Sequence, residues 1–432
     1  MAKKIKIGKE KVSGASVFLD MGTLVNKNGI IFGASGTGKT YTIRGLARGF
    51  ASMDTGNRCI IFDVHGDILP NHPMVSSVKI SEKSEMGLQP FIIDPDQDNG
   101  GVNRVIKRFI YSINSTTNKL GSKQESALRS LLTDLFKARG FNQEDARTWS
   151  LNYDPREYKS KYKKDFPTFE DLIRFTTRKQ EELFVGANSE VVRKFIEFAK
   201  KSRILQKKVA REDFQTDEEL TEARDKIVDI FSTFIYSESS GITEQIIQDQ
   251  IKYSSSEVIG GVLNRLKALH FKGIFKNTKV KFDLSKPIQR YDLSSLETED
   301  QKIFINMVLG DLFLELKARG FGGRTDTFVF IDEAKNYIDT SADNMVNKFF
   351  LEIRKFGCGV WLGAQNIKHF SDDIITNAGT KIILGVDTIH AKSFSQRLNL
   401  DISKVTGIIP KKTFLVEKKE DGEISRFIEV GI

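Results

Sequence analysis

Short runs of consecutive apolar residues stand out near both ends of the chain. They lie at residues 29–32, 58–64, 327–331, 359–364 and 381–385. Runs that are apolar on both faces suit the central strands of a parallel sheet that helices cover on either side. We therefore predict buried strands early and late in the sequence, with a long interval between them.

The segments between these runs favour helices. Residues 40–50 carry apolar side chains at helical intervals, with arginines on another face. Strands that alternate with helices indicate an α/β fold with a doubly wound, mostly parallel sheet. Near the C-terminus, residues 413–417 and 424–430 flank a turn at Asp421-Gly422, which predicts a β-hairpin.

The middle of the chain differs in character. It is charged, poor in proline and helical in pattern, with helix N-termini indicated at residues 168–171 and 216–219. We therefore predict three parts. Residues 1–100 and 287–432 form the two halves of one core, and residues 101–286 form a mainly helical insert.

Basic residues concentrate within this insert. A solvated helix face and a binding patch for a polyanion are both consistent with such a run. The formal net charge of +9 permits contact with nucleic acid but does not require it. The basic residues are Arg156, Lys159, Lys161, Lys163, Lys164, Arg193, Lys194, Lys200, Lys201, Arg203, Lys207 and Lys208.

Composition narrows the class of protein. An apolar content of 39% and a charged content of 28% fit a soluble globular chain rather than a disordered one. The basic N-terminus leads into no apolar stretch, which argues against a secretory signal, and the apolar runs fall short of the roughly 20 residues of a membrane span. Cys59 and Cys358 lie in apolar runs, which favours buried reduced thiols. We expect a cytoplasmic protein with no membrane segment.

The strongest chemical signal is the glycine-rich segment after the first apolar run. It fits G-x-x-x-x-G-K-[ST] between a predicted strand and a predicted helix, the context of a phosphate-binding P-loop. Backbone N–H groups would cradle the phosphates, Lys39 would reach the β- and γ-phosphates, and the Thr40 hydroxyl would bind Mg²⁺. We predict that the loop binds ATP and Mg²⁺, and that the adjoining Tyr41 also contacts the nucleotide. The loop residues are Gly33, Ala34, Ser35, Gly36, Thr37, Gly38, Lys39 and Thr40.

Asp332 and Glu333 follow the apolar run at 327–331, and they are the acidic residues that a P-loop site requires. Asp332, at the tip of a buried strand, would orient Mg²⁺. Glu333 would polarise the attacking water, since phosphoryl transfer depends on positioning and charge stabilisation. An apolar strand that ends in Asp-Glu is common, but its pairing with a P-loop indicates a nucleoside triphosphatase.

Two further polar groups have a functional and an ordinary interpretation. Gln365 ends the next strand. Because ligands of parallel sheets bind at the C-terminal strand ends, its amide would sense the γ-phosphate. The alternative interpretation is an ordinary amide at a strand end. Arg354 and Lys355 precede that strand. Arg354 would stabilise the γ-phosphate of a neighbouring subunit, as arginine fingers do, or it belongs to a solvent-facing basic pair.

A third polar group, the segment Asp63-Val64-His65-Gly66-Asp67, follows the second apolar run. Its D-x-H-x-D spacing is compatible with metal ligands, but no further His or Cys with ligand spacing lies nearby. We therefore favour a polar strand end beside the nucleotide, with Asp63, His65 and Asp67 as candidate nucleotide-binding residues.

The order of these motifs resembles the HerA–FtsK superfamily of P-loop ATPases, and its HerA-like members in particular. The D-x-H-G-[DE] box at 63–67 and the R-K-F-G stretch at 354–357 are the features most typical of HerA-type proteins. The resemblance extends to residues 377–383 and covers roughly 20–100 and 287–432. The insert resembles, more loosely, those of HerA-like and conjugation-type ATPases.

This resemblance implies a RecA-like ATPase that forms a ring, usually hexameric, and drives double-stranded DNA through a central pore with ATP hydrolysed at subunit interfaces. It implies that Asp332 and Glu333 are the Walker B pair, Gln365 the sensor and Arg354 the finger in trans. Two features depart from the family. About 28 residues precede the first core strand, in place of the N-terminal β-barrel of HerA, and Asp67 stands where glutamate is commoner.

Three functions are therefore open on the sequence. The first is a DNA translocase or helicase of the HerA–FtsK type, with a nuclease or effector as a possible partner. The second is a conjugation or secretion ATPase whose cargo is a protein or a nucleoprotein. The third is a nucleotide-gated assembly subunit of an antiviral defence complex.

Overall fold

In the computed structural model the predicted core strands come together in one sheet. The structure describes residues 4–152, 164–185, 197–198, 200–206, 209, 217–236, 252–253, 255–321, 324–339 and 344–432. Among these residues, eleven strands form one sheet and two short strands form a separate pair. The α/β class predicted from the apolar runs is confirmed.

Seven of the strands were predicted from the sequence, and their bounds are close to the predicted ones. The strands are β1 (Lys4–Glu10), β2 (Ser16–Asp20), β3 (Gly29–Phe32), β4 (Arg58–Asp63), β5 (Val75–Lys79), β6 (Met86–Gly87), β7 (Thr278–Lys279), β8 (Ile288–Asp292), β9 (Thr327–Ile331), β10 (Cys358–Ala364), β11 (Thr380–Ile383), β12 (Thr413–Lys418) and β13 (Phe427–Gly431).

The sheet has a parallel part and an antiparallel part. The parallel part has the order β11-β3-β10-β9-β4-β8-β5. The antiparallel part, β2-β1-β13-β12, continues from β11 and contains the predicted C-terminal hairpin. Because β3, β10, β9 and β4 are neighbours that run in the same direction, the residues that follow each of them meet at one edge of the sheet.

Helices cover both faces of the parallel strands, as expected for strands that are apolar on both sides. Among the described residues, the α-helices are α1 (Lys39–Met53), α2 (Val102–Asn114), α3 (Ser122–Ala138), α4 (Phe169–Val185), α5 (Asp217–Tyr236), α6 (Ser256–Phe271), α7 (Thr298–Ala318), α8 (Met345–Glu352), α9 (Asp372–Asn377), α10 (Thr388–Leu398) and α11 (Ile402–Thr406). A short 3₁₀ turn, Ile353–Phe356, joins α8 to β10.

Each face of the sheet has its own core. On one face α1 buries Ile43, Leu46 and Phe50, and the Phe50 ring stacks on Phe328 of β9 with centroids 4.1 Å apart. Apolar residues of α2, α3, α6 and α7 form the core of the other face. The helices that begin the predicted insert therefore pack in the same core as the sheet, and the division at 100/101 and 286/287 stays a prediction.

Four strands of the main sheet were not anticipated from the apolar pattern. β1 pairs with β13 and β2 pairs with β1, so the first residues extend the sheet instead of preceding it. β5 and β8 add to the other end of the parallel part. Their sequences, VSSVK and IQRYD, mix polar with apolar residues and give no continuous apolar run.

Other sequence predictions concern the two cysteines, the basic residues of the insert and membrane-spanning segments. Cys59 and Cys358 are fully buried thiols, and burial raises the pKa of each above its ordinary value. Of the basic run in the insert, Lys164, Lys200, Lys201 and Arg203 lie within the described residues, and the remainder lie outside them. In the described ranges, no helix has the length and apolar character needed to span a bilayer.

Candidate nucleotide-binding site

A cleft of about 590 Å³ opens at the C-terminal edge of the parallel strands. The loop after β3, the acids after β9 and the glutamine after β10 all line it, because the register places Phe32 beside Ala364 and Leu362 beside Ile331. Its lining residues are Gly33, Ala34, Ser35, Gly36, Gly38, Lys39, Thr40, Tyr41, Arg44, His65, Asp67, Asp332, Glu333, Gln365 and Lys411.

The glycine loop has the conformation that its sequence predicts. Gly36 and Gly38 have φ values of +78° and +105°, a region that residues with a Cβ rarely enter. A Cβ on Gly33 would lie 2.5 Å from Thr37 Oγ1, so this position needs glycine for close packing. The loop backbone therefore depends on glycine at these positions.

Hydrogen bonds fix the loop to its surroundings. Ala34 N–H donates to the carbonyl of Gly385 at 3.0 Å, and the buried Thr37 hydroxyl donates to the carbonyl of Ala34 at 2.8 Å. Thr37 thus supports the loop from within, and it does not line the cleft as the other loop residues do. The helix α1 begins at Lys39 with no side-chain cap among the described residues, which leaves the N–H groups of its first turn facing the cleft as an anion site.

Lys39 is held between the two acids that follow β9. Its Nζ lies 2.8 Å from Asp332 Oδ1 and also contacts Glu333 Oε1. All three side chains are nearly buried, with exposed fractions of 9%, 2% and 6% for Lys39, Asp332 and Glu333. Lys39 and Glu333 are 294 residues apart in the sequence. In the fold, Lys39, Asp332 and Glu333 form one charge cluster.

The charges of this cluster shift the pKa of two members in opposite directions. Burial is the largest single influence on Lys39 and lowers its pKa, but the attraction of Asp332 and Glu333 outweighs burial and the net pKa is raised. Burial raises the pKa of Glu333, but contacts with Lys39 and Gln365 outweigh it and the net pKa is lowered. Both groups are thus charged at neutral pH.

Glu333 combines backbone strain with an unsatisfied carboxylate oxygen. Its φ of +49° is left-handed, an uncommon conformation for a residue with a side chain. Its N–H donates to Asp332 Oδ1 at 2.8 Å, and Gln365 Nε2 donates to Glu333 Oε1 at 3.1 Å. The other oxygen, Oε2, is buried and accepts no hydrogen bond from the described residues; Lys335 Nζ lies 3.6 Å away. This oxygen therefore has unused capacity to accept a hydrogen bond.

Gly363, on β10 beside the acids, makes room for the cluster. A Cβ there would lie 2.8 Å from Asp332 Oδ1 and 3.4 Å from Lys39 Cδ. Sequence reasoning missed this residue because its role depends on the register between β10 and β9. Its only sequence signal is a glycine inside an apolar run.

The box at 63–67 divides into two parts. Exposed side chains of His65 and Asp67 line the cleft. Asp63 does not, and its assignment as a nucleotide-binding residue is wrong for this structure. Its carboxylate is fully buried behind the cleft, where strand β4 ends.

The Asp63 carboxylate is occupied by partners within the chain. Oδ1 accepts from the N–H groups of His65 and Gly66, at 3.2 and 2.8 Å. Oδ2 accepts from Ile68 N–H and from Arg290 Nε, both at 2.8 Å. Since a carboxylate offers about four acceptor positions, Asp63 has none left for a ligand, and it shapes the loop that presents His65 and Asp67.

Arg354 lies at the opposite edge of the sheet. It occupies the 3₁₀ turn before β10, whereas Gln365 follows the same strand. The seven residues of β10 span roughly 20 Å at strand rise, so the guanidinium lies far from the cleft of its own chain. Arg354 is exposed, and its Nη1 lies 3.5 Å from the carbonyl oxygen of Val25.

The cleft also contains two cations that the sequence did not single out. Nη2 of Arg44, on α1, lies 3.8 Å from Asp67 Oδ2 across the opening. Lys411 approaches from the loop between α11 and β12, with a φ of +63°. The sequence gives only a weak signal for either residue, because each is an ordinary basic residue. Its position at the cleft depends on which strands are neighbours.

The oxygen donors in the cleft fit a magnesium ion bound together with phosphates. The Thr40 hydroxyl and the Asp332 carboxylate line the same space as the phosphate loop. Mg²⁺ favours one or two protein oxygens, with phosphate oxygens and waters in the remaining positions. The predicted metal residues are therefore brought together.

Comparison with known protein families agrees with this arrangement. Residues 5–312 match the family model described as "Helicase HerA, central domain". The chain belongs to this HerA helicase family. The match spans most of the chain, including the glycine loop and the box at 63–67, and it confirms the HerA–FtsK resemblance.

Solved structures show the same fold in HerA–FtsK relatives. VirB4 of Thermoanaerobacter pseudethanolicus superposes with a TM-score of 0.65 at 16% identity, over 99% of this chain and 96% of that one. The bacterial conjugative coupling protein TrwBΔN70, in its unbound monoclinic form, gives a TM-score of 0.53 at 12% identity, over 100% and 94%. TrwB with a non-hydrolysable ATP analogue gives 0.51 at 13% identity, over 94% and 84%. The RecA-like P-loop fold is therefore confirmed.

A comparison with curated protein sequences gave no match.

Proposed function

We propose that this HerA-family chain is a Mg²⁺-dependent ATPase. The observation that carries the proposal is the Lys39 ammonium held between Asp332 and Glu333 at the base of the P-loop cleft. A nucleotide would give Lys39 a set of phosphate oxygens in place of the carboxylates, and charge-assisted contacts of this kind are strong. The cluster is therefore suited to exchange its internal ion pairs for a ligand.

The roles of the cleft residues follow from their positions. Lys39 binds the β- and γ-phosphates, Thr40 and Asp332 hold the metal, and Glu333 orients the attacking water through Oε2. Bound Mg²⁺ would neutralise charge that develops on the transferred phosphoryl group. Release of Lys39 toward the phosphates would leave Glu333 free of its strongest cation when it has to accept a proton.

Gln365 would report the γ-phosphate to the catalytic acid. Its amide donates to Glu333 Oε1 at 3.1 Å, and both side chains line the cleft. A phosphate that attracts this amide would release Glu333, and the position of Glu333 would then depend on the nucleotide state.

Ring assembly completes the proposed site. Arg354 cannot reach its own cleft across the length of β10, but a neighbouring chain would bring its Arg354 to the nucleotide in a head-to-tail ring. An arginine finger supplied in trans contributes about 10³–10⁵-fold to the rate of phosphoryl transfer. A hexamer is the form expected for this family.

Double-stranded DNA is the proposed cargo of the ring. Support comes from membership of the HerA helicase family and from a net charge of +9. Contacts between cationic side chains and phosphates release counterions, so binding should weaken steeply with salt.

The deciding experiment measures ATP hydrolysis with and without duplex DNA over a range of salt concentrations. We expect DNA to stimulate hydrolysis, and the stimulation to fall as salt rises. Hydrolysis that ignores both DNA and salt would overturn the translocase, while leaving the ATPase intact.

A mixing experiment tests the finger in trans. Lys39→Ala lacks the nucleotide site but keeps Arg354. Arg354→Ala keeps the nucleotide site but lacks the arginine finger. We expect each variant to be inactive alone and the mixture to recover part of the wild-type rate, because some interfaces pair an intact site with an intact finger. No recovery, together with a monomeric solution mass in the presence of an ATP analogue, would remove this role from Arg354.

A second candidate function has a structural observation in its favour. The fold likeness to VirB4 and to the coupling protein TrwB extends over nearly the whole of each chain. A conjugation-type ATPase would move a protein or nucleoprotein, and it would copurify with channel components. Hydrolysis stimulated by such a component and indifferent to naked DNA would favour this candidate over the translocase.

A further inference from the structure

Glu333 is followed by a short turn that ends at Tyr337. The turn is a 3₁₀ segment of three residues, Ala334–Asn336. The Asn336 N–H donates to the Glu333 carbonyl at 3.0 Å. The Tyr337 N–H donates to the Ala334 carbonyl at the same distance. Because the turn is short and closed by these bonds, the position of Tyr337 constrains the backbone of Glu333.

The side chain of Tyr337 is fully buried in the core that α7 covers. Its hydroxyl donates to Oε1 of Gln301, on α7, at 2.7 Å. Burial raises the pKa of Tyr337, and the charges of Asp332 and Glu333 add to the rise, so the phenol keeps the proton that it donates. Tyr337 does not line the P-loop cleft. Any effect on the reaction therefore passes through the turn.

Gln301 is fixed in turn by two backbone carbonyls. Its side chain is buried, and Nε2 donates to the carbonyls of Leu293 and Leu296, each at 3.1 Å. Both amide hydrogens and the amide oxygen thus have partners, so the oxygen that Tyr337 contacts has a defined position. The Leu293 N–H donates to the Asp63 carbonyl at 2.8 Å. This bond connects the anchor to the end of β4.

A second anchor holds the backbone of Tyr337. Its carbonyl accepts a hydrogen bond from Asn344 Nδ2 at 2.9 Å. Asn344 is fully buried and caps the N-terminus of α8. Filling the core would require only the ring of Tyr337, whereas directed bonds at its hydroxyl and its carbonyl specify where the residue lies. Buried polar groups that are fully hydrogen-bonded make such an arrangement rigid.

The backbone of Glu333 needs a constraint of this kind. Its φ of +49° is uncommon for a residue with a side chain, and such a conformation persists only when the surrounding structure over-determines it. Before the turn, the bond from Glu333 N–H to Asp332 Oδ1 supplies part of the constraint. After the turn, Tyr337 supplies the rest. A misplacement of about 1 Å in a reacting group can cost about 100-fold in rate.

We propose that Tyr337 is a positioning residue for ATP hydrolysis, and that its hydrogen bond to Gln301 holds Glu333 in the orientation that the reaction requires. Tyr337 touches neither the nucleotide nor the attacking water, and it acts through the three-residue turn. The inference rests on the proposed ATPase function, in which Glu333 orients the water.

Tyr337→Phe tests the hydroxyl, because it removes that group and keeps the ring that fills the core. Single-turnover hydrolysis and equilibrium binding of Mg²⁺-ATP are measured at a temperature where the variant is folded. We expect the rate to fall about 10- to 100-fold. The dissociation constant should stay within about twofold, because Lys39 and the loop are unchanged.

Gln301→Met approaches the same hydrogen bond from the other side. It replaces the acceptor with an apolar side chain of similar length, and it also removes the donors to Leu293 and Leu296. We expect the same division between a lower rate and an unchanged dissociation constant. Either variant alone is sufficient for the test if the other does not fold.

A Glu333→Gln background separates positioning from general destabilisation. If Tyr337 acts only through Glu333, Tyr337→Phe should change the residual rate of Glu333→Gln by less than about twofold, because the effects of residues that act as a unit are not additive. An effect unrelated to Glu333 would lower the rate by the same factor in both backgrounds.

Tyr291→Phe is the matched control. Tyr291, on β8, is a half-buried tyrosine of the same core that stacks on Phe62. It lines a small cavity together with Arg58, which begins β4. Loss of this hydroxyl, away from the turn, should leave both the rate and the dissociation constant at the wild-type values.

Three results would overturn the positioning role while Glu333→Gln remains slow and the ATPase function stands. The first is a wild-type rate in Tyr337→Phe. The second is an equal factor in both backgrounds. The third is a loss of ATP affinity that accounts for the whole loss of rate, which would place the effect at the glycine loop. A wild type that does not hydrolyse ATP would instead overturn the proposed function, and the positioning role with it.

Discussion

Two ion clusters lie at the same edge of the sheet, and they differ in how completely their carboxylate oxygens are hydrogen-bonded. Around Asp63, both carboxylate oxygens accept two hydrogen bonds each, and the Arg290 side chain is 3% exposed. Around Glu333, one oxygen accepts no hydrogen bond from the described residues and the backbone is left-handed. Both clusters are buried at strand ends, yet only the second faces a cleft.

The difference separates a structural role from a ligand-binding role. Arg290 also donates to Ser77 Oγ at 2.8 Å, so the Asp63 cluster joins β4, β5 and β8. Removal of Arg290 would leave the buried Asp63 carboxylate without its cation. In the Glu333 cluster, Lys39 is shared by two carboxylates that a phosphate would replace. Strain and incomplete satisfaction at a cleft are features typical of functional sites.

Glu333→Gln should have the largest effect, and it should act on catalysis rather than on nucleotide binding. Loss of the group that accepts the water proton should lower the rate of ATP hydrolysis by about 10²–10⁴-fold, while ATP binding is kept because Lys39 and the loop are intact. The readout is single-turnover hydrolysis beside equilibrium binding. A variant that still hydrolyses ATP at the wild-type rate would remove Glu333 from the mechanism.

Arg290→Met should act on stability in the other cluster. It leaves the Asp63 carboxylate buried without its cation, which costs about 3–5 kcal/mol of unfolding free energy. Urea titration measures the change. The control is Arg129→Met, which breaks an exposed i,i+4 pair with Glu125 and should cost less than about 0.5 kcal/mol. Similar losses in both variants would contradict the structural role of Arg290.

Nucleotide should stabilise the protein through the Lys39 cluster. At a Mg²⁺-ATP concentration of about 100 times the dissociation constant, the free energy of unfolding should rise by about 2.7 kcal/mol. Lys39→Ala should lose this gain. Arg290→Met should keep it at temperatures where the variant is folded. A gain that Lys39→Ala retains would show that ATP binds elsewhere.

The smallest effect is a dependence of stability on pH. The pKa of Glu333 is held below its ordinary value of 4.5, so its ion pair stabilises the fold above that value, and the contribution is lost as the pH falls through the lowered pKa. The stability difference between wild type and Glu333→Gln should therefore be constant from neutral pH down to the ordinary pKa of 4.5 and shrink as the pH falls further, with a slope of less than about 1.4 kcal/mol for each tenfold rise in proton concentration. Urea titration at a series of pH values measures it. A difference that grows on acidification would reverse the assigned direction.

The two clusters also differ in how far the sequence predicts them. Lys39, Asp332 and Glu333 each follow an apolar run within a recognisable motif. Strand ends and motif spacing were therefore sufficient to single out these three residues from the sequence. The Asp63–Arg290 pair joins residues 227 positions apart. β8, which carries Arg290, mixes polar and apolar residues, so nothing local indicates that it adjoins β4.

Other parts of the site depend on tertiary register in the same way. Gly363 matters because β10 adjoins β9 in one particular alignment, and Lys411 because the loop before β12 folds back beside Gly385. The N-terminal strand β1 alternates polar and apolar residues, but its pairing with β13 connects the two ends of the chain. Patterns within a segment predicted the elements, and contacts between distant segments decided what each cluster does.

The most direct test of the contrast between the clusters is equilibrium binding of Mg²⁺-ATP to wild type, Glu333→Gln and Lys39→Ala at one ionic strength. We predict saturable binding of similar affinity to wild type and Glu333→Gln, and binding at least about 100-fold weaker, or about 2.7 kcal/mol, in Lys39→Ala. Equal affinity in all three proteins, or no binding to wild type, would contradict the assignment of the Lys39 cluster as the nucleotide site.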